Sequence, residues 1–209
     1  MFKRVCLGAL LLLVPHVAAA TTIAIDNFEG TLAAWTPGSG VIAVDPLNPS
    51  NHAVHFRLRA AGGDIWTNVS YGPFTDYYLS FDYLGVLTAG GNANDIGGFI
   101  GVDTDQVNAG IERWIGGTQP GFGNIDLIDD GAWHSYTVHF TLASVPGAPV
   151  GSSLFVKLED YSASGGVAGD AYFDNISISD VAPAAVPEPT TVLLVAVGAA
   201  ALFVRKRRK

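Results

Sequence analysis

Cysteine is all but missing: Cys6 stands alone in 209 residues. No disulfide can form within the chain, so stability must come from a packed core, with or without the help of a metal. Basic residues are nearly missing too, once the two ends are set aside. Of 11 Lys and Arg, Lys3 and Arg4 lie near the start and five close the chain, which leaves Arg57, Arg59, Arg113 and Lys157. Residues 21–186 hold eighteen of the 19 acids, so this stretch carries a net charge of −14. Such a surface repels nucleic-acid phosphates, which excludes a nucleic-acid partner, and it attracts hard cations that prefer oxygen ligands. Neither a helical period nor a fixed-length repeat is present between residues 21 and 186. The Gly-x-Ser-x-Gly elbow, the His-Glu-x-x-His zinc motif and, past Cys6, any cysteine nucleophile are absent. His52 and His55 are close in sequence, but strand alternation puts them on opposite faces. Glu112 and Glu159 could flank a glycosidic bond, yet nothing in their context selects them from the other acids. An enzyme is not expected.

The two ends are where the sequence is most specific. Lys3 and Arg4, the apolar run Leu7–Val14 and the small residues Ala18-Ala19-Ala20 read in order as a signal peptide over residues 1–20. Cys6 precedes the apolar run, so a lipoprotein signal does not fit. At the other end, Val186-Pro187-Glu188-Pro189 leads into the uncharged run Thr190–Val204 and then Arg205-Lys206-Arg207-Arg208-Lys209. The prolines break local structure. The run can enter a bilayer as a short transmembrane helix, although a permanent span needs roughly 20 apolar residues. The basic end stays on the cytoplasmic side. Both ends therefore place residues 21–186 outside the cytoplasm.

Residues 186–209 resemble the PEP-CTERM sorting signal, with all three of its parts in order. The resemblance implies an exosortase-type membrane protease as partner, acting at Pro187, Glu188 and Pro189. It implies transient membrane insertion through residues 190–204 and delivery to the cell envelope or extracellular polymer matrix. An ordinary, permanent C-terminal membrane anchor is the alternative.

Between the ends the pattern is β. Val54, Phe56 and Leu58 alternate with His55, Arg57 and Arg59; Tyr136, Val138, Phe140 and Leu142 alternate with Ser135, Thr137, His139 and Thr141. Tyr77, Leu79, Phe81 and Tyr83 share one face, as do Leu154, Val156 and Leu158. Further strands are expected at 22–28, 41–45, 64–71, 96–103, 111–115 and 171–178. About ten short strands separated by Gly, Pro, Asn and Asp turns predict an all-β sandwich of jelly-roll type over residues 21–180. An Ala/Pro-rich linker, 181–186, precedes the tail at 187–209.

The first strand ends Asp26-Asn27-Phe28-Glu29-Gly30, and the last runs Gly169-Asp170-Ala171-Tyr172-Phe173-Asp174-Asn175-Ile176. With Gly131-Ala132-Trp133-His134, these motifs resemble the galactose-binding-like jelly rolls of many carbohydrate-binding modules; laminin-type and lectin-type sandwiches stay open. The resemblance implies a structural calcium ion (Ca2+) bridging the first and last strands through Glu29 and Asp174, with backbone or further acidic oxygens completing its six to eight ligands. Asp103-Thr104-Asp105 begins like an EF-hand loop, but Val107 and Asn108 break the pattern, so a solvated loop is expected. Asp126, Asp129 and Asp130 read as a turn before Gly131. Of the four tryptophans, Trp35 and Trp133 read as core plugs, and Trp66 and Trp114 as the candidates for stacking on a sugar ring or for further core packing. His55, Arg57 and Arg59 read as charges guarding an edge strand, with a groove that binds acidic sugars as the alternative. The expected role is binding or structural, with polysaccharide as the ligand class. The alternative is a carbohydrate-active enzyme, a glycosidase or lyase, on the same fold.

Overall fold

The alternating segments become strands because each buries one row of apolar side chains and leaves the other row outside. The computed structural model describes residues 22–57, 64–87, 98–107, 112–121, 123–160 and 169–183. The signal segment 1–20 and the tail 187–209 lie outside the described residues, as do linker residues 184–186. Among the described residues the strands are β1 (Thr22–Asp26), β2 (Val41–Val44), β3 (His52–Arg57), β4 (Ile65–Trp66), β5 (Asp76–Leu87), β6 (Gly98–Asp103), β7 (Glu112–Gly117), β8 (Ile125–Asp126), β9 (His134–Thr141), β10 (Phe155–Asp160) and β11 (Gly169–Ser179). Each of the ten expected segments contains a strand, although 64–71 holds only the two-residue β4. The two-residue β8 has too little alternation to be read from sequence.

Two sheets face each other. The first runs β2-β3-β11-β5-β9, with β1 also pairing β11; the second runs β4-β10-β6-β7-β8. Every pairing is antiparallel except β7 with β8. This is the sandwich of jelly-roll type that the alternation predicts. Tyr77, Leu79, Phe81 and Tyr83 from the first sheet meet Ile100, Val102, Val156 and Leu158 from the second, all essentially without solvent exposure. Each such side chain contributes about 1.5–3 kcal/mol of apolar burial. Phe28 caps one flank of this core. Its backbone is left-handed, with φ 52°, and Asp26 holds it by accepting from the Phe28 N–H at 2.8 Å and from Trp35 Nε1 at 2.9 Å.

Long β11 is paired along one side by β3 for Asp170–Phe173 and then by β1 for Ile176–Ser179. Thr22 pairs with Ser179, so the segments that lead to the two ends of the chain leave the sandwich side by side. Strand β3 lies between β2 and β11, which corrects the edge-guard reading of His55 and Arg57. The reading failed because alternation says which face a residue takes and nothing about the strand's neighbours. His55 instead stacks on Tyr172 at 4.3 Å and pairs with Asp170 at 3.2 Å. Arg59 lies outside the described residues.

Candidate functional site

Trp66 and Trp114, 48 positions apart, reach the same outer face of the second sheet through strand register. Trp66 pairs with Lys157, Lys157 with Gly101, and Gly101 with Trp114, so the four form one row across β4, β10, β6 and β7. Their neighbours Ile65, Val156, Leu158, Ile100, Val102 and Ile115 belong to the core, and alternation therefore turns the row outward. A one-residue bulge at Ile115 keeps Trp114 and Gly101 on the same face.

Glycine is required at position 101. A Cβ there would stand 2.8 Å from Trp114 Cε3 and 2.8 Å from the Arg113 carbonyl oxygen. Without it, the indole lies across the strand and reaches Lys157. The Lys157 ammonium sits 4.6 Å from the Trp114 ring centre and 5.4 Å from that of Trp66, a cation–π arrangement on both sides. The next row repeats the device. Phe99 lies over Gly117, and its ring meets Trp114 edge-on at 5.5 Å.

Lys157 is completely buried. Its Nζ pairs with Asp64 Oδ2 at 3.4 Å and with Glu159 Oε2 at 3.5 Å. Desolvating an ammonium costs several kcal/mol, which the two carboxylates and two indole faces offset. Nothing in the sequence marks Asp64, and Glu159 stands out there only as a possible partner of Glu112. Trp66 and Trp114 are themselves half-buried, so part of each indole stays open. Trp66 Nε1, Asp103 Oδ2 and Gln119 Oε1 are buried polar atoms without a hydrogen-bond partner, and native proteins rarely leave such atoms unpaired. Asp103 is fully buried, which corrects the expected solvated loop at its first residue: it is still in β6, facing outward but covered. Burial holds its carboxyl above the usual carboxylate range.

The first sheet's outer side holds the other candidates. Asp174 is buried; its Oδ2 accepts from Asn51 Nδ2 at 2.9 Å and its Oδ1 from the Asn175 N–H at 2.7 Å. Burial raises its pKa, and the charges of Asp82 and Glu29 add to this. Glu29 is exposed, and the His52 backbone N–H and ring, at 3.0 and 3.1 Å, lower its pKa. The charge of Glu29 is felt at Asp174, but the oxygens of both carboxylates already accept N–H donors. Among the described residues no group of three His, Cys, Asp or Glu side chains is placed to hold a metal. The pair alone does not make a calcium site.

Trp35 is a core residue as expected. Trp133 is not: it packs outside the first sheet against the small cluster of Ala53, Leu84 and Tyr172, and its Nε1 donates to Asp45 Oδ2 at 3.0 Å. The turn at 126–130 holds one surprise, since Asp129 folds in to accept the Tyr83 hydroxyl at 2.7 Å. Burial pushes its pKa up to about 7.

No curated protein matches the chain. Solved structures with a similar sandwich include a mutant of a family 29 carbohydrate-binding module, at 12% identity and TM-score 0.48, covering 84% of this chain and 95% of that one. A Stig cyclase from Fischerella sp. TAU, bound to a pyrrolidinylidene indole, matches at 14% identity and TM-score 0.49, covering 77% and 98%. An arabinose-bound α-L-arabinofuranosidase matches at 17% identity and TM-score 0.42, over 77% of this chain and 26% of its own. These likenesses concern the shape of the sandwich and not what it binds. Among the described residues no helix is long and apolar enough to cross a membrane, and the run 190–204 lies outside them. Residues 185–209 match the PEP-CTERM protein-sorting motif, so the chain carries the C-terminal sorting signal of an exported protein.

Proposed function

We propose that this is an exported protein of the cell envelope or extracellular polymer, sorted by an exosortase-type protease, whose sandwich binds polysaccharide on the outer face of its second sheet. One observation carries the reading: the row Trp66–Lys157–Gly101–Trp114 sets two half-open indoles on one face. Sugar rings have apolar faces that stack on such platforms.

Affinity electrophoresis through polysaccharide-loaded gels tests it. Wild type should be retarded by at least one glycan, and Trp66→Ala and Trp114→Ala should each weaken retention about tenfold, the scale of roughly 1.4 kcal/mol. Equal retention of wild type and both variants overturns the reading. The enzyme alternative has one observation in its favour, two carboxylates, Asp64 and Glu159, gathered at Lys157 Nζ. Release of reducing ends from the retarding glycan would decide for it. A calcium ion at Glu29 and Asp174 is a separate proposal, supported by the repulsion between these carboxylates that a cation would relieve.

A further inference from the structure

Among the described residues, the only basic group on the tryptophan face is already committed to internal partners. Lys157 Nζ is shared between Asp64 and Glu159, is covered by two indoles, and has no solvent exposure. An incoming carboxylate could reach it only by displacing one of its own partners. Arg113, on the same strand as Trp114, is likewise engaged: its guanidinium donates to Asn124 Oδ1 at 2.7 Å and to the Ser144 carbonyl. Lys157 Nζ is thus held by the carboxylates of Asp64 and Glu159, with the fully buried Asp103 on the same face of neighbouring β6. Around this lies a domain of four bases and eighteen acids. Nothing in this arrangement offers a landing place for an anion, and the field around it opposes one.

We propose that this face selects glycans by charge: Lys157 is an internal counter-ion that positions the two indoles, not an anion receptor, and the face takes neutral and amine-bearing sugar chains while rejecting uronates. The proposal rests on the sugar-binding reading above and narrows it to a ligand class. Stacking supplies attraction common to all pyranose chains; the sign of the ligand charge then sets the order among them. That order has to weaken with salt, because the Debye length falls from roughly 20 Å at 20 mM to about 8 Å at physiological ionic strength.

The test compares three ligands of equal length on the full-length chain held in a neutral detergent: a glucan hexamer, a glucosamine hexamer and a uronate hexamer. Titration calorimetry at pH 6 and 20 mM salt should rank them amine, neutral, uronate. The extremes should differ about tenfold, as expected for unit charges about 8 Å apart at a dielectric between those of water and protein. At 150 mM salt the gap should shrink to about threefold. Glu159→Gln, which keeps the shape and removes one charge, should narrow the amine-to-uronate ratio at low salt. A uronate that binds as well as the neutral chain overturns the proposal, as does an order unmoved by salt and by Glu159→Gln. In both cases loss of all three ligands in Trp114→Ala would leave the sugar-binding reading standing. Absence of binding to all three removes both.

Discussion

Asp129 should make the stability of this sandwich fall as pH rises from acid to neutral. Its carboxyl accepts the hydroxyl of fully buried Tyr83 and lies against Gly85, whose carbonyl takes the Gly131 N–H at 3.0 Å. Burial is the main cause of its high pKa; the Tyr83 hydrogen bond pulls the other way, and Asp130 adds repulsion. Asp130 is itself bound to His134 at 2.9 Å, so its charge persists. The folded chain holds the Asp129 proton up to about pH 7, whereas the unfolded chain releases it near 3.8. Below 3.8 both states hold the proton and the benefit is complete. Between 3.8 and 7 it is lost step by step, and above 7 the folded state carries a half-buried charge. The gap between those two values corresponds to about 4 kcal/mol. Water still reaches part of the group, so about 2 kcal/mol is the realistic figure. Asp129→Asn keeps an acceptor for Tyr83 and cannot ionise. At pH 8 the variant should melt about 4–8 °C above wild type, at roughly 2–4 °C per kcal/mol, and near pH 4 the two should nearly coincide. Thermal melts by circular dichroism at pH 4, 6 and 8 measure this. A Tm difference that stays constant with pH would refute the reasoning, because other carboxylates titrate alike in both proteins.

Gly101→Ala should place a methyl against Trp114 and the Arg113 carbonyl, cost about 1–3 kcal/mol of overpacking and swing the indole off the row. Glycan retention should fall at least as far as in Trp114→Ala while the melt stays cooperative, and unchanged retention would show that the flat indole is not needed. Calcium at Glu29 and Asp174 should raise Tm by several degrees at a hundredfold excess over Kd, about 2.7 kcal/mol, and Asp174→Asn should erase the effect; identical melts in calcium and in chelator would exclude the ion. Mass spectrometry of the exported protein should show loss of the residues beyond Pro187-Glu188-Pro189, and an intact Lys209 on extracellular protein would count against processing.

Much of this molecule could be read from one-dimensional pattern. Alternation is a local property with period two, so the strands, their inward rows and the all-β class follow from runs such as Tyr136, Val138 and Phe140. The sorting signal is also local, since proline, an uncharged run and a basic end act as a contiguous stretch. Trp66 and Trp114 could be picked out individually for the same reason: each sits among polar or glycine neighbours. Pairing is not local. Which strand lies beside which is fixed by packing and loop closure over the whole chain, and the sequence carries no period for it. That Lys157 falls between the two tryptophans, with Asp64 beside it, is decided by the order β4-β10-β6-β7. That β3 is internal, that Asn51 reaches Asp174 across 123 positions and that Asp129 turns in to Tyr83 are decided in the same way. The sequence by itself determined that the chain carries a sorting signal and which residues face inward; the tertiary structure alone decided which outward residues meet, because a side chain's chemistry depends on neighbours that only the folded sheet supplies.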